Sequence, residues 1–402
     1  MTHVVVVGAG QAGAACVAKL RNLGFEGLIT LIGAEPVLPY QRPPLSKKYL
    51  LGEMSLERLF LRPKAFYKEQ NIDLLLNTDV GAIDSVAKTI SVDENKFSYD
   101  HLVLATGATP NRLPASIGGE LEGVFVVRGL ADVDAMAPEF APGRNVLIVG
   151  GGYIGLEAAA VAASKGLKVT LVEASERILQ RVAAPETSDF FRELHKQHGV
   201  KIVEGVGLSM LSGKARVQMA ELTNGQTLEV DFVIAGVGVQ PEVSLAEKAG
   251  IDLDNGIKTD GYGSTSAQSI WAAGDCASFP YKGAQIRLES VPNAIDQAEV
   301  VAENIMGSQK PYNAKPWFWS DQYDVKLQIA GLNVGYDTIV SRESSARVKS
   351  FWYYKEDKLL AVDAANAPRD YMVGKRLIEG GKSPRPELVS DVSIDIKDLL
   401  HA

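Results

Sequence analysis

His3-Val4-Val5-Val6-Val7-Gly8-Ala9-Gly10-Gln11-Ala12-Gly13 stands near the start of the chain, and Asn145-Val146-Leu147-Ile148-Val149-Gly150-Gly151-Gly152-Tyr153-Ile154-Gly155 repeats its pattern. Each copy is an apolar run of strand length, then G-x-G-x-x-G, then an alanine-rich stretch that reads as a helix. A second apolar strand comes after each helix and leads to an acid: Leu28–Ile32 before Glu35, and Lys168–Val172 before Glu173. Glu35 lies 22 positions beyond Gly13 and Glu173 lies 18 beyond Gly155, close to the ~20-residue offset of a dinucleotide-binding fingerprint. A single motif of this kind is weak. Two in the same strand-glycine-helix setting, each with its acid, predict two separate dinucleotide-binding folds. Gly8 and Gly150 make the tight turn; Gly10 and Gly152 let the backbone approach a pyrophosphate; Gly13 and Gly155 let helix and strand pack closely. The helix N-terminus then offers amides and a positive dipole to the phosphates, and the acid accepts hydrogen bonds from ribose hydroxyls.

Outward from these copies, further apolar strands end at glycine turns: His101–Leu104 before Ala105-Thr106-Gly107, Phe232–Ala235 before Gly236, and Ser269–Ala273 before Gly274-Asp275. Strand-helix alternation of this kind predicts an α/β fold with parallel sheets. Past about Lys315 the texture changes. Val325–Ile329 and Val348–Tyr353 alternate apolar with polar, as half-buried antiparallel strands do, and a helix is expected near Asp370–Glu379. The reading is two Rossmann-like domains plus a C-terminal α+β domain. The first is discontinuous, 1–112 and 241–315; the second is 113–240; the third is 316–402.

Composition sets bounds. The 402 residues are 46% hydrophobic and 22% charged, with a net charge of −8, which argues against general nucleic-acid binding. Cys16 and Cys276 are the two cysteines, too few for a disulfide framework or a cysteine-rich metal site, so a reducing, cytoplasmic compartment fits and no metal site is expected. The apolar start runs straight into a glycine turn, and no uncharged run reaches the ~18 residues of a membrane span.

The N-terminal copy reads as the FAD site, with Glu35 on the adenosine ribose, and the second copy as the nicotinamide site. A carboxylate at Glu173 welcomes a ribose 2′-hydroxyl and repels a 2′-phosphate, which points to NADH; Arg177 and Arg181 close downstream keep NADPH open. With Ala105-Thr106-Gly107 between the copies and Ala273-Gly274-Asp275 after the second, the set resembles the two-dinucleotide flavoprotein reductases. That resemblance implies that Asp275 meets the flavin ribityl chain. Disulfide reductases of the superfamily carry paired redox cysteines beside the flavin. Here the corresponding stretch reads Leu38-Pro39-Tyr40-Gln41-Arg42-Pro43-Pro44-Leu45-Ser46-Lys47, with no cysteine, so thiol chemistry is not expected.

Arg42–Lys47, Gly150–Glu157, Glu289–Ala294 and Trp317–Gln322 together resemble the oxygenase-coupled ferredoxin reductases over essentially the whole chain. The resemblance implies that Lys47 sits near the flavin N5 and pairs with Glu157, that Pro43 packs on the flavin ring, and that Tyr153 lies across it and gives way to nicotinamide. Trp317 and Trp319 would line the other approach, and Glu289 would shape the nicotinamide pocket. Ala12, Arg42, Val291, Ile154, Arg181 and Gly236 complete the implied cofactor-binding set. Hydride would pass from NADH to FAD, and electrons would leave singly to an acidic [2Fe–2S] ferredoxin serving a mono- or dioxygenase such as a cytochrome P450. Arg42, Lys47, Lys48, Arg58, Arg62, Lys64, Lys68, Lys310, Lys315, Arg369, Lys375 and Arg376 could steer such a partner. The sequence leaves open rubredoxin, quinone, monodehydroascorbate or oxygen as acceptor, and a redox-sensing interaction protein.

Overall fold

Val4 and Val6 enter one apolar core and Val5 and Val7 another, because successive side chains of a strand point to opposite faces. A strand covered on both faces reads as an unbroken apolar run rather than an alternating one. A computed structural model describes residues 1–401, and in it the chain forms two compact units.

Unit 1 comprises Met1–Gln41, Ser55–Thr109 and Val239–Pro316. Its main sheet has the order Ile270–Ala272, His101–Leu104, His3–Val7, Leu28–Ile32, Ile72–Leu75, with every pairing parallel. The helices Gln11–Asn22 and Val291–Ile305 pack against each other over one face, burying Cys16, Val17, Leu20, Ala298 and Val301 with Val4 and Val6. Ile90, Leu102, Leu104 and Ile270 fill the opposite face. Because the strands run parallel, the loops after Val7, Leu104 and Ala272 leave from one edge, where ligands bind in such sheets.

Unit 2 comprises Arg42–Met54, Pro110–Gly238 and the chain from Trp317 onward. It repeats the first arrangement: Lys201–Glu204, Lys168–Glu173, Asn145–Val149, Phe232–Ala235 and Val124–Val126 form a parallel sheet in that order. The helix Tyr153–Ser164 is apolar almost all round and buries Leu156 and Ala158–Ala162, as a core helix does. A second, antiparallel sheet has the order Trp317–Gln322, Val325–Gly331, Lys358–Ala365, Val348–Lys355, Thr338–Ser345. Pro368–Glu379 covers it, with Trp352, Tyr354, Val362, Tyr371 and Leu377 between.

A polar knot joins this antiparallel sheet to the helix Pro185–Gln197. Asp363 is 1% exposed. Thr187 donates to its Oδ2 at 2.8 Å and Tyr353 donates to the same oxygen, while the Ala184 amide donates to the Tyr353 hydroxyl at 3.0 Å. Burial pushes the Asp363 carboxyl up to about 6, with the two hydroxyl donors pulling the other way. The folded value lies above the unfolded one of ~3.9. The folded state therefore holds the extra proton between about pH 4 and pH 6, and stability falls as pH rises through that window. In urea unfolding, the wild type is expected to lose on the order of 3 kcal/mol between about pH 4 and pH 7 relative to Asp363→Asn. Parallel pH profiles for the two proteins would contradict this.

Candidate functional site

In unit 1 the three glycines of the first motif have different causes. Gly8 has φ +112°, and a Cβ there would lie 2.1 Å from the Ala105 carbonyl oxygen, so neither the conformation nor the space admits another residue. A Cβ on Gly13 would lie 1.9 Å from the Gly8 oxygen. Gly10 is otherwise: its φ is −87°, and a Cβ there would meet nothing within 4 Å. Nothing inside the protein requires glycine at position 10, so the space beside its backbone is open to a ligand. The helix after it has no side-chain cap and no acid in its first turn, which leaves its amide dipoles for an anion. A cradle that a side chain would fill, at an uncapped helix start, fits the pyrophosphate of FAD.

The neighbouring loops are held in place around that start. The Tyr40 hydroxyl donates to Glu35 Oε2 at 2.6 Å, and Thr106 Oγ1 donates to the Glu242 carbonyl at 2.6 Å. Gly274 donates its amide to Gln297 at 2.9 Å, and a Cβ on it would come 2.9 Å from that of Ala12. Asp275 is thereby carried on a loop packed against the first turn of the glycine helix. Val291 opens the helix Val291–Ile305 behind its Ser290 cap, and Glu289 is bridged by Arg287 at 2.5 Å. Both cysteines are buried. Burial pushes the Cys16 thiol up to about 12 and that of Cys276 upward as well, so neither is a ready thiolate.

Unit 2 repeats the glycine logic. Gly150 has φ +107° with the Gly236 oxygen 2.4 Å from its would-be Cβ, Gly155 meets the Gly150 oxygen at 2.1 Å, and Gly152 meets nothing. Here too the helix start carries no side-chain cap and no first-turn acid. Glu173 accepts from the Gly151 amide on Oε2 and the Ser175 amide on Oε1, both at 2.7 Å, which fixes its carboxylate beside the turn. Arg177 is turned inward, donating to Ser188 Oγ at 2.6 Å and the Ala183 carbonyl at 2.8 Å. Arg181 is exposed, with Nη2 3.8 Å from a Cβ built on Gly238. Of the two arginines that left NADPH open, Arg177 is thus committed elsewhere. Ile154 is 43% exposed at the helix start. Tyr153 rests against Phe318, ring centroids 5.1 Å apart. Its hydroxyl is buried with no hydrogen-bond partner among the described residues. Burial, reinforced by the Asp363 charge, holds the phenol's pKa well above its ordinary value.

The structure also brings together residues from three segments of this unit. Glu157, the charged residue of an otherwise apolar helix, is 4% exposed. Lys47 Nζ lies 2.9 Å from its Oε2, Ser46 Oγ donates to Oε2 at 2.7 Å, and Ser320 Oγ donates to Oε1 at 2.6 Å. Ser46 and Lys47 are held by a short helical turn, Pro43–Ser46, started by its two prolines. Arg42, just before it, donates to the Arg128 carbonyl at 2.8 Å. Trp319 lies 5.6 Å from Trp317, on the strand face opposite Ser320. Sequence reasoning did not single out Ser46 and Ser320. Both lie inside stretches it quoted, and the i, i+2 spacing of Phe318 and Ser320 was the available signal.

Two family models match the chain: pyridine nucleotide-disulphide oxidoreductase over residues 2–298, and reductase C-terminal over residues 317–400. The chain belongs to the pyridine nucleotide-disulphide oxidoreductase family. It is 44% identical to a ferredoxin–NAD(P)(+) reductase from Sphingomonas sp, covering 99% of this chain and 98% of that one. It is 39% identical to rhodocoxin reductase from Rhodococcus erythropolis, covering 98% and 93%. The crystal structure of a covalent putidaredoxin reductase–putidaredoxin complex superposes with a TM-score of 0.96 at 38% identity, covering 100% and 98%. The cofactors of this family are FAD and NAD(H). Among the described residues no helix is long and apolar enough to cross a membrane, and no group of three His, Cys, Asp or Glu could hold a metal ion.

The contrast between Gly8 and Gly10 is testable. Gly10→Ala is expected to fold with an unchanged far-ultraviolet spectrum while its FAD affinity, read by fluorescence titration, drops ~100-fold, since the new methyl occupies ligand space alone. Gly8→Ala is expected to lose the fold itself. Normal FAD binding by Gly10→Ala would refute the assignment of that space.

Proposed function

We propose that this chain is an NADH-dependent, FAD-containing reductase that passes electrons to a [2Fe–2S] ferredoxin serving an oxygenase. The observation that carries this reading is the lysine–glutamate pair where disulfide reductases carry redox cysteines: the Arg42–Lys47 segment delivers an ammonium, paired at 2.9 Å with Glu157, and no thiol. The balance is one NADH and two oxidised ferredoxins giving NAD⁺, two reduced ferredoxins and one proton. The chemistry that FAD supplies when bound is acceptance of a hydride and release of the two electrons one at a time.

What the chain's own residues do is placement and electrostatics. The amides at the start of the helix Gln11–Asn22 hold the FAD pyrophosphate, Glu35 takes the adenosine ribose, and Asp275 takes the ribityl chain. Those at the start of the helix Tyr153–Ser164 hold the NADH pyrophosphate. Glu173, fixed by two backbone amides, accepts from the ribose 2′-hydroxyl and repels a 2′-phosphate. Lys47 would offer bound flavin a fixed positive charge, and Glu157 keeps that charge in place. Tyr153, packed through its ring on Phe318, would move aside for nicotinamide.

For the partner, Arg369, Met372 and Arg376 are exposed at i, i+3 and i+7 of the helix Pro368–Glu379, one face with cationic edges around an apolar centre. Such a face suits an acidic carrier protein. Lys47 is excluded from any docking patch, since its side chain is 15% exposed and tied to Glu157. Two buried, reduced cysteines support a cytoplasmic setting.

The experiment is NADH-driven cytochrome c reduction with and without an added [2Fe–2S] ferredoxin, at rising salt. The expected result is a rate that depends on ferredoxin and falls at least ~5-fold between low and ~0.5 M salt as docking is screened. A rate independent of ferredoxin would leave a flavoenzyme with another acceptor.

A further inference from the structure

On the strand Trp317–Gln322, Phe318, Ser320 and Gln322 share one face. Each meets a different residue of the same unit. Phe318 packs on Tyr153, Ser320 donates to Glu157, and Gln322 Oε1 lies 2.8 Å from His195 Nε2. Gln322 Nε2 also donates to Ser320 Oγ at 3.2 Å, and the Tyr323 hydroxyl lies 3.1 Å from His195 Nδ1. Hydrogen bonds therefore run without a break from Tyr323 through His195, Gln322 and Ser320 to Glu157, whose other oxygen holds Lys47.

The direction of every bond is set by the charge at one end. A carboxylate paired with an ammonium can only accept, so Ser320 gives its single proton to Glu157. Ser320 Oγ then accepts from Gln322, which orients the amide with its nitrogen toward Ser320 and its oxygen toward His195. That oxygen accepts, so the imidazole proton sits on Nε2, and Nδ1 is left to accept from Tyr323. The reversed amide would put its oxygen against Ser320 Oγ, whose proton is already given to Glu157. Ser320, Gln322 and His195 are each 0% exposed, so water cannot repair a wrong orientation. Burial also pulls the His195 imidazole down to about 4; it is neutral near pH 7, as a one-proton link requires. Tyr323 closes the chain near the surface, stacked on the exposed His198 with ring centroids 3.7 Å apart.

We propose that His195 and Gln322 are positioning residues for the reductase: acting through Ser320, they aim one fixed donor at Glu157 and so hold the carboxylate in the orientation that seats the Lys47 ammonium. The proposal deepens the reading of Lys47 and Glu157 as the charged pair of the hydride step, and it rests on that reading. Neither His195 nor Gln322 touches cofactor in this scheme. Their influence travels through a network whose members polarise one another.

Two readouts test it on the FAD-loaded protein. The first is the ring-nitrogen spectrum of ¹⁵N-histidine-labelled protein, taken without NADH, with His195 assigned from a His195→Gln variant. Wild type is expected to show His195 as the neutral Nε2–H form. In Ser320→Ala the amide loses the acceptor that fixes it, and both tautomers are expected. An Nδ1–H form in the wild type, or an unchanged pure Nε2–H form in Ser320→Ala, would overturn the proposal.

The second readout is single-turnover bleaching of the flavin by NADH. Gln322→Glu keeps the side-chain shape but sets an acceptor against Ser320. It is expected to slow bleaching about tenfold, with NADH affinity changed by no more than about twofold. Added to Ser320→Ala, it is expected to change nothing further beyond about twofold, because the link it acts through is gone. Equal slowing in both backgrounds would mark a purely structural role and overturn the proposal. Bleaching at the wild-type rate in Glu157→Gln would instead remove the reading of the charged pair on which the proposal rests. Because the tautomer result does not depend on hydride transfer, the two failures are distinguishable.

Discussion

A carboxylate placed in the apolar interior of a helix must be compensated or it does not stay ionised. Glu157 is that carboxylate, and its compensation fixes three distant segments of unit 2. The turn Pro43–Ser46 brings Lys47 and Ser46 to one oxygen, and the strand Trp317–Gln322 brings Ser320 to the other. A buried ion pair is weak as a source of stability. As a means of holding one ammonium at one place it is strong, because removing any partner leaves a buried charge short of a bond.

The two glycine turns show how a repeated motif separates fold from ligand. Gly8, Gly13, Gly150 and Gly155 are required by the protein's own backbone, with carbonyl oxygens standing where a side chain would begin. Gly10 and Gly152 are required by nothing in the chain. The same local sequence thus contains residues that make the turn and a residue beside which the space is left open. The two acids differ as well. Glu173 is pinned by backbone amides of its own turn, and Glu35 is oriented by a tyrosine hydroxyl.

Much of this was legible in the sequence. The unbroken apolar runs His3–Val7 and Asn145–Val149 announce strands covered on both faces, and the glycine spacing announces the turn and helix after each. The strand Leu28–Ile32 coincides with its expected extent, and His101–Leu104 and Phe232–Ala235 begin the apolar runs that end at Gly107 and Gly236. The alternation in Val325–Ile329 pointed to the antiparallel sheet, whereas Val348–Tyr353, expected to be half-buried, lies in a strand whose Phe351, Trp352 and Tyr353 are all buried. Bonds that need two faces to meet were not legible. Nothing in the sequence around Thr187 points to Asp363, and nothing around His195 points to Gln322, since each partner lies over a hundred residues away. The family resemblance implied the pairing of Lys47 with Glu157, which the structure shows at 2.9 Å; what it did not give was the burial that takes Lys47 out of the set of steering cations. Arg177 was read as open to a phosphate; only the fold shows it turned onto Ser188 and Ala183.

The central claim is that the ammonium seated on Glu157 acts in the hydride step and not in folding or cofactor retention. The direct measurement is stopped-flow bleaching of the flavin by NADH in Lys47→Met, with bound FAD and NADH affinity determined on the same preparation. The account predicts full FAD content, NADH affinity changed by no more than about twofold, and a bleaching rate lower by about a hundredfold, the scale of losing one preorganised charge at a reacting centre. A wild-type bleaching rate with FAD fully bound would contradict it.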